Sequence, residues 1–96
     1  MSAPELDQIR ERITALDTEL LSLLSERRGL TNQVAETKIK HHIPVRDQAR
    51  EEQLLIRLIK EGQQKGLDAH YITQIFHVII EDSVLNQQAM LAERAN

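Results

Sequence analysis

Five polar side chains stand at positions where helical periodicity calls for apolar ones. Arg27 falls between Leu23 and Leu30 in a run with 3-4 spacing, and Lys38 lies one turn beyond Val34 on nearly the same face. Ser83 and Gln87 extend a stripe made by Ile72, Phe76 and Ile80, while Glu51 precedes Leu54, Leu55 and Leu58. An unpaired cation on an inward face costs several kcal/mol, so Arg27 and Lys38 need anionic partners. Taken singly, each residue has a plain explanation: Arg27 or Lys38 pairs with Glu51, and the backbone satisfies Ser83 and Gln87. Five of them on the seam faces of three helices favour a lined polar pocket. Its excess of Arg and Lys suits a small, multiply anionic ligand.

Other chemistries have little support. The chain has no Cys, which excludes disulfides, thiol catalysis and Cys-based zinc sites. His41 and His42 are adjacent, and on a helix they point apart and do not chelate one metal. His70 and His77 lack a carboxylate at a useful offset, and Ser83 lacks an evident base. The pairs Glu51–Glu52 and Arg27–Arg28 are, residue for residue, mostly solvated helix faces. A net charge of −3 and a pI near 5.8 have the wrong sign for nucleic-acid binding, and no short basic recognition helix is present. No apolar run approaches the ~20 residues of a membrane span, and the basic and apolar parts of a signal peptide are missing. The expectation is a cytoplasmic protein with no nucleic-acid or membrane partner and little basis for hydrolytic or metal chemistry.

The elements that must position these residues follow from punctuation. Ninety-six residues allow one small domain, and three glycines with two prolines leave little room for turns. Only Gly29 interrupts the stretch between Pro4 and Pro44; Val45 to Glu61 contains neither residue, and nor does the chain after Gly66. Ser2 and Glu5 match a capping box, Asp47 and Asp68 are suited to cap the second and third segments, and Leu67 with Ile72 has the spacing of a hydrophobic staple. The reading is all-α: helix 1 about 5–41, helix 2 about 48–62 and helix 3 about 69–94. Tyr71 and Phe76 are the only aromatics, so Leu and Ile build the core.

Leu6, Ile9, Ile13, Leu16, Leu20, Leu23, Leu30 and Val34 form one seam along the first helix. At 1.5 Å per residue that helix spans ~55 Å, whereas a chain of this length has a compact radius of gyration of about 12–13 Å. Either it breaks near Gly29 or a second copy covers the seam. The seam stays in phase through Gly29, and one helical Gly costs only ~1 kcal/mol, which favours a dimer.

The segments IRERITALDTELLSLLSERRGL, VAETKIKHHIPVRDQARE and LDAHYITQIFHVIIEDSVLNQQAML closely resemble the all-helical AroQ class of chorismate mutases. The nearest subgroup is the mutase domain at the N-terminus of bifunctional chorismate mutase–prephenate dehydratases, and the resemblance covers essentially the whole chain. It implies an intertwined homodimer of three-helix protomers that rearranges dianionic chorismate to prephenate without cofactor, metal or nucleophile, on the route to Phe and Tyr. By that resemblance Arg27 and Arg10 bind the two substrate carboxylates. Arg10 lies seventeen residues before Arg27, ~26 Å along a helix, so it comes from the partner subunit. Lys38 and Gln87 resemble the donors to the ether oxygen, and Glu51 with backbone near Asp47 resembles the group that holds the ring hydroxyl. Ser83 and Arg50 resemble supporting contacts, and Val34 and Ile80 apolar walls. Departures from the family pattern fall at Gly29, Thr31, Asn32 and Gln33, which weaken the middle of the long helix.

Two other readings are weighed beside this one. A non-catalytic helical dimer or adaptor would use the polar seam residues to set register, with Arg27 and Lys38 paired internally. An isochorismate-pyruvate lyase of the same fold would share much of the pocket.

Overall fold

The computed structural model describes residues 3–95, which form three α-helices: α1 (Pro4–Lys40), α2 (Gln48–Gln64) and α3 (Ala69–Ala95), with no strand among the described residues. The capping pair expected of Ser2 with Glu5 lies outside them. The chain divides into two units, residues 1–30 and 31–96, and α1 contributes to both.

In the first unit α1 opens on Pro4, where a missing N–H is harmless, with Glu5 and Asp7 in the first turn against the positive end of the helix dipole. The Thr18 hydroxyl donates to the Thr14 carbonyl (3.1 Å) and that of Ser22 to the Thr18 carbonyl (3.3 Å), so both are satisfied within the helix. Leu6, Ile9, Ile13, Leu16, Leu20, Leu23 and Leu30 are all exposed. The helix is continuous through Gly29, where an added Cβ would meet nothing.

In the second unit α2 packs against α3; Leu54, Leu55, Leu58 and Ile59 of α2 are half-buried, and Ile72 and Val84 of α3 are buried. Ala35, in the last turns of α1, is also buried, whereas Val34 of the expected seam is exposed, as are Ile75 and Leu91 of α3. Gly62 is the closest approach. A Cβ built there would lie 2.2 Å from Ile72 Cδ1, 3.1 Å from Ile72 Cγ1 and 3.8 Å from Leu67 Cβ, and Ile72 is only 3% exposed. The side chain of Ile72 fills the notch that the missing methyl leaves. Gly62→Val should therefore overpack the α2–α3 seam and cost roughly 1–3 kcal/mol, read as a lower denaturant midpoint at unchanged slope.

Both early helix ends close by the same hydrogen-bond pattern. At the end of α2, the Leu67 N–H donates to the Gly62 carbonyl (3.0 Å) and the Gly66 N–H to that of Gln63 (3.1 Å), with Gly66 at φ 84°. At the end of α1, Ile43 N–H donates to the Lys38 carbonyl (2.8 Å) and His42 N–H to that of Ile39 (3.3 Å), but the left-handed residue is His42 at φ 56°. Helix α1 thus stops at Lys40, one residue before the expected end, and α2 runs to Gln64, two residues beyond it. A non-glycine residue in that conformation costs about 1–2 kcal/mol. His42→Gly is expected to stabilise the chain by roughly 0.5–1 kcal/mol after allowing for glycine's larger backbone entropy, seen as a rise in Tm.

Candidate active site

The second unit gathers most of the polar residues singled out above at the end of α1, the connection that follows it, the start of α2 and the middle of α3. Lys38 sits half-buried in the last turn of α1, and its ammonium donates to the Val45 carbonyl at 2.6 Å. A primary ammonium has three N–H donors, so two remain for a ligand. The same residue's main-chain carbonyl accepts from Ile43, which fixes the turn below it.

Asp47 caps α2: its side chain accepts from the Arg50 N–H (3.0 Å) while its carbonyl accepts from Glu51 N–H (3.0 Å). Capping fixes the first turn of α2, and with it Glu51, which is half-buried, and Arg50, which is exposed. Glu51 pairs with Arg46 rather than with Lys38. The Arg46 Nε donates to Glu51 Oε2 (3.2 Å) and its Nη2 to Glu51 Oε1 (2.9 Å), and Nη2 also bonds to Glu81 of α3. Arg46 holds the Glu81 carboxyl below the usual carboxylate range, chiefly through that hydrogen bond, and Glu51 and Glu81 together raise the guanidinium pKa. Glu81 therefore adds stability above the ordinary carboxylate range that is lost as acid protonates it. Periodicity did not single out Arg46, because it lies in the connection, away from any helical stripe.

On α3 the N-cap works as expected, with Asp68 accepting from the Tyr71 N–H at 3.0 Å. Ser83 and Gln87 are buried polar residues one turn apart. The Ser83 hydroxyl donates to the Ile79 carbonyl (3.2 Å). Gln87 is 6% exposed and its buried Oε1 has no hydrogen-bond partner. Leaving such an atom unsatisfied costs about 1–3 kcal/mol, and a side-chain amide offers two donors and an acceptor on one group, so Gln87 has capacity for a ligand. Ile80 is half-buried on the same helix, whereas Val34 is 45% exposed. An ion pair between Arg94 and Glu36 ties the end of α3 to the last turns of α1.

Arg10 and Arg27 belong to the first unit. Arg10 is exposed and Arg27 half-buried, and their positions on α1 put them ~26 Å apart along the axis. One copy of α1 does not bring both to a single small ligand. Among the described residues no group of three or more His, Asp or Glu side chains is arranged to hold a metal ion, and no helix is long and apolar enough to cross a membrane.

Comparison with known proteins gives this arrangement a family. The family model described as chorismate mutase type II matches residues 9–88. The bifunctional chorismate mutase/prephenate dehydratase of Escherichia coli K12 is 56% identical over 88 residues, covering 92% of this chain and 23% of that protein. Its counterpart in Enterobacter agglomerans is 51% identical over the same share of each chain. The protein named chorismate mutase in Methanocaldococcus jannaschii is 33% identical over 92 residues, covering 96% of this chain and 93% of its own. This chain thus spans about a quarter of the length of the bifunctional relatives but nearly all of the archaeal one. With the three-helix fold and a match over residues 9–88, the chain belongs to the chorismate mutase type II family.

Proposed function

We propose that this chain is a chorismate mutase, rearranging chorismate to prephenate in the biosynthesis of Phe and Tyr. The observation that carries this reading is the near end-to-end correspondence with a relative of the same size that is itself named chorismate mutase. The Lys38 ammonium, with two N–H donors beyond its bond to Val45, and the buried side-chain amide of Gln87, whose Nε2 carries two N–H donors, support it, because the reaction asks for donors rather than for a nucleophile or metal.

The mechanism we propose is conformational and electrostatic. Chorismate reacts only from a compact conformer with its two reacting carbons in contact, and fixed charges around the dianion select that geometry. Arg27 binds one substrate carboxylate and Arg10 of a second copy binds the other, in an intertwined homodimer. That assembly also gives the exposed apolar seam of α1 a partner, since ten of the eighteen exposed large apolar side chains among the described residues lie on α1. As the C–O bond breaks, the ether oxygen gains negative charge, and Lys38 and Gln87 stabilise it more strongly in the transition state than in the ground state. Glu51, with backbone near Asp47, holds the ring hydroxyl. Ser83 and Arg50 support the ring carboxylate and its surroundings, and Val34 and Ile80 supply apolar wall. The compartment proposed is the cytoplasm.

The direct test is loss of chorismate absorbance on adding purified protein without any cofactor, with prephenate identified as product. Silence in that assay would favour the non-catalytic adaptor. Pyruvate released from isochorismate, with chorismate untouched, would favour the lyase.

A further inference from the structure

Three elements meet at the guanidinium of Arg46. The residue lies in the α1–α2 connection immediately before the cap of α2, its Nε and Nη2 grip both carboxylate oxygens of Glu51 (3.2 and 2.9 Å), and Nη2 reaches Glu81 on α3. A two-point grip fixes the plane and the rotation of a carboxylate, which a single hydrogen bond leaves free. The preceding residue, Val45, accepts the Lys38 ammonium through its carbonyl. Consecutive residues of one short connection thus hold both Lys38 and Glu51, the first by main chain and the second by side chain.

We propose that Arg46 is a positioning residue for the reaction: it sets the orientation of the Glu51 carboxylate that receives the ring hydroxyl of the substrate, without touching the substrate itself. The proposal rests on the chorismate mutase reading. Its energetic logic separates geometry from stability. Arg46 is 38% exposed, and ion pairs in such surroundings add little to folding free energy. A carboxylate tethered at both oxygens nonetheless loses the freedom that a long, solvated Glu side chain retains. Arg46 should therefore matter to turnover more than to folding.

The experiment compares wild type, Arg46→Ala, Arg46→Lys, Glu51→Ala and the Arg46→Ala/Glu51→Ala double variant. The readouts are kcat/KM on chorismate and thermal midpoint. Arg46→Ala is expected to lower kcat/KM about tenfold or more, with a small change in midpoint. In the Glu51→Ala background the same substitution should lower it by no more than about twofold, because the group through which Arg46 acts is already gone. Arg46→Lys keeps a charge beside both carboxylates but lacks the planar fork, so it should restore the midpoint while leaving kcat/KM several-fold low; this arm decides if the alanine variant folds poorly. Equal losses in the two backgrounds, wild-type activity in Arg46→Ala, or full activity in Arg46→Lys would each overturn the role. A wild-type protein inert toward chorismate would instead overturn the mutase reading, and the role of Arg46 with it.

Discussion

Lys38→Ala is expected to lower kcat/KM on chorismate by about 10²–10³-fold, the usual loss when one preorganised donor to a developing oxyanion is removed. The ammonium is half-buried and already held on the Val45 carbonyl at 2.6 Å, so it needs little reorganisation as charge builds on the ether oxygen. That preorganisation is why the loss should fall in the transition state. The signature is a fall in kcat accompanying the fall in kcat/KM, rather than a rise in KM alone. The variant's helical content, followed by circular dichroism, should stay near that of wild type, because Lys38 is not part of the buried apolar set of Ala35, Ile72 and Val84. Near wild-type turnover would remove Lys38 from the mechanism.

Gln87→Glu should convert a pH-independent donor into a pH-gated one. A glutamine amide donates at every ordinary pH, whereas a glutamic acid donates only when protonated. At a position only 6% exposed, burial disfavours the carboxylate and pushes the introduced group's pKa upward. The active species is the protonated one, so activity should rise as pH falls through that pKa and collapse above it. A carboxylate beside a developing oxyanion is worse than no donor, which makes the loss at neutral pH as large as that for Lys38→Ala. The measurement is kcat/KM across pH for both proteins, and a flat profile for Gln87→Glu would count against donation from this residue.

Helix starts are legible in the amino-acid sequence because side chains announce them. Asp47 and Asp68 each accept from the N–H three residues on, as their places before apolar runs predict. Helix ends are less legible: nothing in the pair His41–His42 marks a left-handed residue, and α1 stops where backbone hydrogen bonding, not composition, turns the chain. Gly62 reads as a stop signal, yet it lies inside α2 because the space its missing side chain leaves is needed by Ile72.

The site divides in a similar way. Ser83 and Gln87 interrupt an apolar stripe, so periodicity alone flags them, and both are buried. Arg46 lies where no period exists to be broken, and only folding shows that it is a cation on Glu51. The roles proposed for Arg10 and Arg27 would involve two chains at once, which a single helix pattern does not encode.

The turn after α1 has one more consequence. Lys38 is fastened to the following connection twice, through its carbonyl to Ile43 and through its ammonium to Val45. Surface connections usually tolerate insertions and deletions. This one acts as a ruler, because the number of residues between Lys38 and Val45 sets where the ammonium comes to rest. Replacing side chains at residues 41–44 is therefore expected to matter less than changing the length of the segment. A gap or insertion there would be a better sign of lost activity in a distant relative than many substitutions elsewhere.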